Sequence, residues 1–332
     1  MIKYLGSKRV LLPEIVGLVK SLSGVDRVLD AFSGSARVAH AFKQAGYSVC
    51  ANDHATYAAT LARSYVQADA RSLLPRLPPL LDELNRLPPQ PGFFTETYCI
   101  HSRYLQPHNG ARVDAIRERI ARLELDPVLE AVVLTSLMEA ADRVDSTCGL
   151  QMAYLKQWSK RSYQDLQLRV PMLLPGEGQA LQLDAREVVS EGWDLVYLDP
   201  PYNQHKYVNN YHVWETLVRW DAPEVYGRAC KRIDCRSYDS PYNSKPRIAA
   251  AFRELLAELK SRYLLVSFSN EGHLSLEEIH AMLAECGEVE VRSFDYRRYV
   301  GARIGIYNPK GEKVGAVSHT RNQEYLFLVR CA

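Results

Sequence analysis

An acidic residue followed by two prolines and a tyrosine, Asp199-Pro200-Pro201-Tyr202, stands directly after the apolar run Leu195-Val196-Tyr197-Leu198. Consecutive prolines stop a strand or helix and leave a stiff loop that offers backbone carbonyls but few N–H donors. One carboxylate, the acceptor carbonyl of Pro200 and the aromatic face of Tyr202 therefore project from a support stiffened by Pro201. That set suits the exocyclic amino group of a nucleobase. Such a nitrogen is a poor nucleophile because its lone pair is delocalised into the ring. Hydrogen bonds donated by its two N–H groups to Asp199 and the Pro200 carbonyl favour a pyramidal nitrogen with an exposed lone pair, while Tyr202 stacks on the base. The bare tetrapeptide also fits a plain turn after a strand, so the rest of the chain must separate the two readings.

Asp30-Ala31-Phe32-Ser33-Gly34-Ser35-Ala36 follows another short apolar run and opens a helix-compatible stretch. Its small residues let a ligand approach the backbone at a helix N-terminus. Asp53 ends the next apolar run, where an acidic side chain can hydrogen-bond ribose hydroxyls. Together these features suggest an adenosine-bearing cofactor, and the absence of a GxGxxG sequence counts against a dinucleotide.

The elements that must hold these residues follow from hydrophobic period. Apolar runs at 25–32 and 47–51 alternate with helical stripes at 35–45 and 55–67, the opening of a parallel, doubly wound sheet. Strand-like runs resume at 180–183, 195–198, 263–268, 289–296 and 325–329, with helical stretches at 209–219, 247–260 and 275–285. The expected fold is a Rossmann-like α/β domain. Its seven-stranded, mostly parallel sheet closes in a hairpin, and the motif Asp199 to Tyr202 lies beyond a carboxyl strand end, where open α/β sheets bind ligands. Residues 70–178 read as an inserted, mainly helical subdomain with helices at 111–124 and 127–144, flanked by a catalytic domain of 1–69 and 179–332. The proline-dense stretch 70–92 reads as a surface linker rather than a long helix.

Lys3-Tyr4-Leu5-Gly6-Ser7-Lys8, the 30–36 loop, Asn52-Asp53, Asp184 and the 199–202 tetrapeptide occur in the order found in Dam-like adenine-specific DNA methyltransferases. The chain resembles that family from residue 1 to about 330, least clearly across the insertion. The extension Asn203-Gln204-His205-Lys206-Tyr207, with Asn210-Tyr211-His212, is similar to its restriction–modification members. One departure is visible: Ala36 stands where the family's FxGxG pattern has its second glycine.

The resemblance implies a class I methyltransferase that uses S-adenosylmethionine. Tyr4, Lys8, Asp30, Phe32 and Gly34 would then border the cofactor, Lys8 near the methionine carboxylate and Phe32 packed against the ligand. Asp53 would bind ribose, Asp184 the adenine edge, and Asp199 both cofactor and target base. The implied reaction is an in-line displacement by the target nitrogen on the sulfonium methyl, with S-adenosylhomocysteine leaving and no metal required. A base within a duplex must rotate out of the stack to reach such a pocket, at a cost of a few kcal/mol that phosphate contacts help offset. Two substrates stay open on the same fold, the cytosine amino group and an RNA base. Asp rather than Ser at the head of the tetrapeptide weighs against the first; the KYLGSK segment and long insertion weigh against the second. An intact tetrapeptide weighs against a catalytically silent DNA-binding module.

Charge supports a nucleic-acid partner only by its distribution. The net charge is +2, yet segment 292–321 carries seven basic and two acidic residues. Its Arg297, Arg298 and Arg303, interleaved with tyrosines, suit tracking of a phosphate backbone, as do Lys156, Lys160 and Arg161 in the insertion. A smaller basic excess lies at 224–247. Double-stranded DNA is the expected partner, with a cognate restriction endonuclease as a further one. With 47% hydrophobic and 24% charged residues the composition is that of a globular protein. No apolar run approaches the ~18 residues that span a bilayer, so a cytoplasmic, nucleoid-associated protein is expected. Seven cysteines without a CxxC pair read as reduced, structural thiols, and no metal is expected.

Overall fold

A computed structural model of the chain describes residues 1–152, 154–155, 157–297, 306–307, 313–315 and 321–332. Seven strands form its main sheet: β1 (Arg27–Asp30), β2 (Ser48–Asn52), β3 (Gln179–Leu181), β4 (Trp193–Leu198), β5 (Ser261–Ser269), β6 (Gly287–Arg297) and β7 (Arg321–Cys331). Their spatial order is β3-β2-β1-β4-β5-β7-β6. Pairings from β3 to β5 are parallel, and β7 runs antiparallel to both β5 and β6. Each expected strand is present. The order reverses between β1 and β4, which opens a crevice beyond their carboxyl ends.

Strand alternation divides the core between the two sheet faces. Val28, Val49, Leu195, Leu265 and Leu328 join one apolar cluster with helices α1 (Leu12–Lys20), α2 (Arg37–Gln44) and α3 (Thr56–Ala62). Leu29, Val196, Leu264 and Phe327 join the other, with the helices Ile248–Ala257 and Leu276–Ala284.

The stretch 70–92 corrects the linker expectation. Residues Ala70–Leu73 form one helical turn and Leu77–Asn85 a helix, α4. Pro78 and Pro79 fall in the first turn of α4, where a missing N–H breaks no intrahelical bond. The later prolines, 88, 89 and 91, lie in the irregular stretch that follows α4. Helices α5 (Pro107–Ala121) and α6 (Pro127–Val144) follow. Asp126 caps α6 by accepting from the Leu129 N–H. From 145 to 178 the described insertion has only the short turn Lys160–Tyr163 as helix. Val113, Ile116, Val132 and Leu137 share the first apolar cluster with Tyr57 and Leu61 of α3. The insertion's helices therefore continue the catalytic core rather than building a second one.

Candidate active site

A cavity of about 690 Å³ opens at the carboxyl edge of β1, β2 and β4, within the ~300–1,000 Å³ typical of small-molecule sites. All eight residues expected around the cofactor lie on its wall.

The loop after β1 is tied from three sides. Ser33 N–H donates to the Asn52 carbonyl at 2.9 Å, Gly34 N–H to Asp53 Oδ2 at 2.8 Å, and Ala39 N–H to Asp30 Oδ2 at 3.1 Å. Gly34 has φ +51°, and a Cβ there would lie 2.9 Å from the Tyr4 ring, so glycine is required for conformation and for space. Ala36, the departure from the family pattern, sits at φ 55°, ψ 21°. It adopts the left-handed conformation natural to glycine, so the loop keeps its path at a local strain.

Asp53 spends both carboxylate oxygens on the backbone, Oδ1 accepting from the Ala55 N–H at 2.9 Å. Asn52 bridges two strand ends, donating to the Ala31 and Leu183 carbonyls and accepting from the Leu183 N–H. Asp30 is 1% exposed and its Oδ1 has no partner. Burial, with Asp199 nearby, holds its carboxyl well above the usual range. An unpaired carboxyl oxygen on a ligand-sized cavity fits a polar group of a bound molecule. Asp184 caps the helix Ala185–Val189 through the Arg186 N–H and pairs with the Arg186 side chain, at an exposed rim.

Tyr4 stacks on Tyr211 with centroids 4.5 Å apart and shares a 3.1 Å hydroxyl contact with Tyr57. Tyr211 Oη accepts from the Leu5 N–H at 2.6 Å. His212 is buried: its Nε2–H donates to the Gln151 carbonyl at 2.8 Å, and burial pushes its pKa down to about 4 against that hydrogen bond. The extension after the tetrapeptide is thus a scaffold, joining the N-terminal loop to the insertion at Gln151. Glu215, one helical turn on, accepts from the Tyr57 N–H at 3.1 Å and lines the cavity. It was not singled out from the sequence, and its i+3 spacing from His212 was the only available signal.

Asp199 and Pro201 face the cavity, whereas Tyr202 is 9% exposed and packs on Phe268 at 4.4 Å. Stacking of a base on Tyr202 therefore needs that ring uncovered. Lys8, 4% exposed, pairs with Asp199 Oδ1 at 3.1 Å and with Glu324 Oε2 at 3.4 Å. Its ammonium is committed to these two carboxylates rather than left open for a cofactor carboxylate. Burial alone would lower the Lys8 pKa, but Asp199, Tyr202 and Glu324 outweigh it and hold it well above the ordinary value. Burial raises Asp199 to about 6, with Lys8 opposing and Glu324 reinforcing the rise.

The expected DNA contacts divide. Lys160 is exposed. Arg161 is engaged internally, donating to the Asp145 carboxylate and to the carbonyls of Asp145 and Thr147. Arg297 ends β6 opposite Arg321; Lys156, Arg298 and Arg303 lie outside the described residues. Within 224–247, Arg232 is 2% exposed and bound to Asp221 and Asp234, and Arg247 pairs with Asp239. Two of that segment's six basic residues are thus paired with acids, Arg232 in the interior and Arg247 at the surface. All seven cysteines are free. Among the described residues no group of three or more His, Cys, Asp or Glu could hold a metal, and no helix is long and apolar enough to cross a membrane.

The sheet order, the glycine loop at the switch point and a proline-stiffened acid at the next strand end together define a Rossmann-like methyltransferase. A model of the D12 class N6 adenine-specific DNA methyltransferases matches residues 4–282, and the chain belongs to that family. The modification methylase StsI of Streptococcus sanguinis is 32% identical over 324 residues, covering 91% of this chain and 49% of that protein. The type II methyltransferase M.NlaIII of Neisseria lactamica is 28% identical over 340 residues, 98% of this chain and 97% of that protein. M.FokI of Planomicrobium okeanokoites is 29% identical over 321 residues. The chain spans about half the length of the StsI and FokI proteins and nearly all of M.NlaIII.

Proposed function

We propose that this chain methylates the N6 amino group of adenine within a specific sequence of double-stranded DNA, with S-adenosylmethionine as donor, as the modification partner of a restriction endonuclease in the cytoplasm. The observation that carries this reading is the position of Asp199. Its carboxylate is on the wall of the same cavity as the strand-end loop of Gly34 and Asp53, so one space serves a nucleoside cofactor and a target base.

When bound, the cofactor supplies a methyl carbon activated by its sulfonium. The protein's part is orientation. Asp53 holds the loop that faces the cofactor, the unpaired Oδ1 of Asp30 is left for a polar group of the ligand, and the aromatic faces of Tyr4 and Tyr57 favour a cation. Asp184 at the rim is suited to an adenine amino group. Asp199 accepts one N–H bond of the target amine; the Pro200 carbonyl accepts the other once Pro200, buried and off the cavity wall, is uncovered, and Pro201 fixes their spacing. Holding the two reactants in line is worth roughly 7–11 kcal/mol of barrier. Residues 1–69 and 179–332 form the catalytic part, and the insertion 70–178 reads base edges from its 145–178 portion. Exposed Lys160, with Lys156, Arg297, Arg298 and Arg303, contacts phosphates.

The test is incubation with methyl-labelled cofactor and duplex DNA, digestion to nucleosides and separation of the products. Label in N6-methyl-2′-deoxyadenosine supports the reading. Label confined to methylcytosine, or transfer to RNA alone, overturns it.

A further inference from the structure

The antiparallel strand brings a residue to the site that lies outside both the tetrapeptide and the matched family region. Strands β4 and β5 deliver their carboxyl ends, Leu198 and Ser269, to the active edge. Because β7 runs the other way, it delivers its beginning, and Glu324 lies opposite Ser269 in the ladder. Glu324 is 8% exposed on an edge that meets Lys8, and its Oε2 is 3.4 Å from the Lys8 Nζ. The same ammonium is 3.1 Å from Asp199 Oδ1 and 5.8 Å from the centre of the Tyr202 ring. A buried acid, Glu324, and the partly exposed Asp199 thus share one buried cation. A buried carboxylate costs several kcal/mol unless paired, so an acid at 324 that served only packing would be a poor choice.

We propose that Glu324 is a positioning residue for methyl transfer: it anchors the Lys8 ammonium so that Lys8 holds Oδ1 of Asp199 and leaves Oδ2 directed at the target amine. This rests on the function proposed above and deepens it. Lys8 has three N–H donors, and the two carboxylates set two of them in fixed directions. Without Glu324 the flexible four-carbon stem has one anchor, and the Asp199 carboxylate turns with it. Glu324 also adds negative charge beside Asp199, which disfavours its ionised form. The other titratable groups facing Asp199 are Asp30 at the end of β1, Tyr197 on β4, and Tyr202 and Tyr207 beyond the tetrapeptide.

The experiment measures single-turnover methyl transfer against pH at saturating cofactor and duplex DNA, in wild type, Glu324→Gln and Glu324→Ala. Glu324→Gln keeps an acceptor for Lys8 but not the charge, and its acidic limb moves to lower pH by about half a unit or more. Glu324→Ala loses the anchor, and its plateau rate falls about ten- to a hundredfold, with cofactor and DNA dissociation constants within about threefold of wild type. Wild-type plateau rates and midpoints in both variants overturn the assignment. So does a Glu324→Ala loss accompanied by an unmoved limb in Glu324→Gln, which marks a packing role. A wild-type protein that transfers no methyl group to adenine overturns the functional reading itself, and is distinguished by failing before any variant is compared.

Discussion

Lys8 Nζ lies 3.1 Å from Oδ1 of Asp199, so the lysine of the N-terminal loop grips the acid of the catalytic tetrapeptide. The contact joins two motifs far apart in the chain. It makes Asp199 the residue on which the cavity's charges converge: Lys8 favours its ionised form while burial and Glu324 disfavour it.

Replacing Asp199 by Asn preserves shape but removes an acceptor and the charge. Single-turnover transfer is expected to fall about 10²- to 10³-fold, the scale of losing one oriented electrostatic contact in a transition state. Circular dichroism should show an unchanged fold, since Lys8 keeps Glu324. Near-normal transfer by Asp199→Asn would remove the residue from the chemistry.

Asp199 accepts N–H bonds more strongly as a carboxylate than as a protonated acid, so transfer should rise with pH through about 6 and level off above it. Lys8→Met removes the cation that favours ionisation, and the midpoint should move to higher pH. A rate–pH profile of both proteins checks the sign.

Gly34→Ala places a methyl group 2.9 Å from the Tyr4 ring at a positive φ. We expect about 1–2 kcal/mol lower stability and cofactor affinity weakened about tenfold or more, as the loop shifts from its ties to Asp53. Isothermal titration with S-adenosylmethionine and a thermal melt measure the two effects.

His212 titrates near 4 in the folded protein, below its ordinary 6.5, because burial disfavours the imidazolium. Its contribution to stability is fully present above pH 6.5 and is lost as the pH falls towards 4, by up to about 3 kcal/mol. Asp199 and Asp142, both raised to about 6, act oppositely over the same range. The difference in urea-unfolding free energy between wild type and His212→Gln, followed from pH 7 to 4.5, isolates the histidine; a difference independent of pH refutes the assignment.

Lys160 and Arg161 are adjacent but should behave differently. Lys160→Ala is expected to weaken DNA binding and lower the salt slope by about 0.9, one phosphate contact. Arg161→Met should instead lower the melting temperature, because it releases Asp145, which also holds Lys3 at 2.8 Å. Binding titrations at several salt concentrations, with thermal melts, separate the two.

Sequence alone determined the seven strands, the flanking helices and the placement of Asp30, Asp53 and Asp199 at strand ends. These follow from short-range causes: the period of apolar residues, glycine at a turn and proline after a strand. It misread residues 70–92, because a proline count does not show whether the ring falls in a first helical turn or an interior. Composition shows the charge of Arg161 but not its partner, Asp145, so the internal contact was not legible. Only the tertiary structure decided that Lys8 is shared by Asp199 and Glu324, that Asp53 closes the glycine loop and that His212 braces the insertion. Which strand ends become neighbours depends on sheet order and direction, and β7, running against the rest, brings Glu324 to the edge where the chemistry lies. That adjacency arises from packing over the whole chain, so no local stretch of sequence carries it.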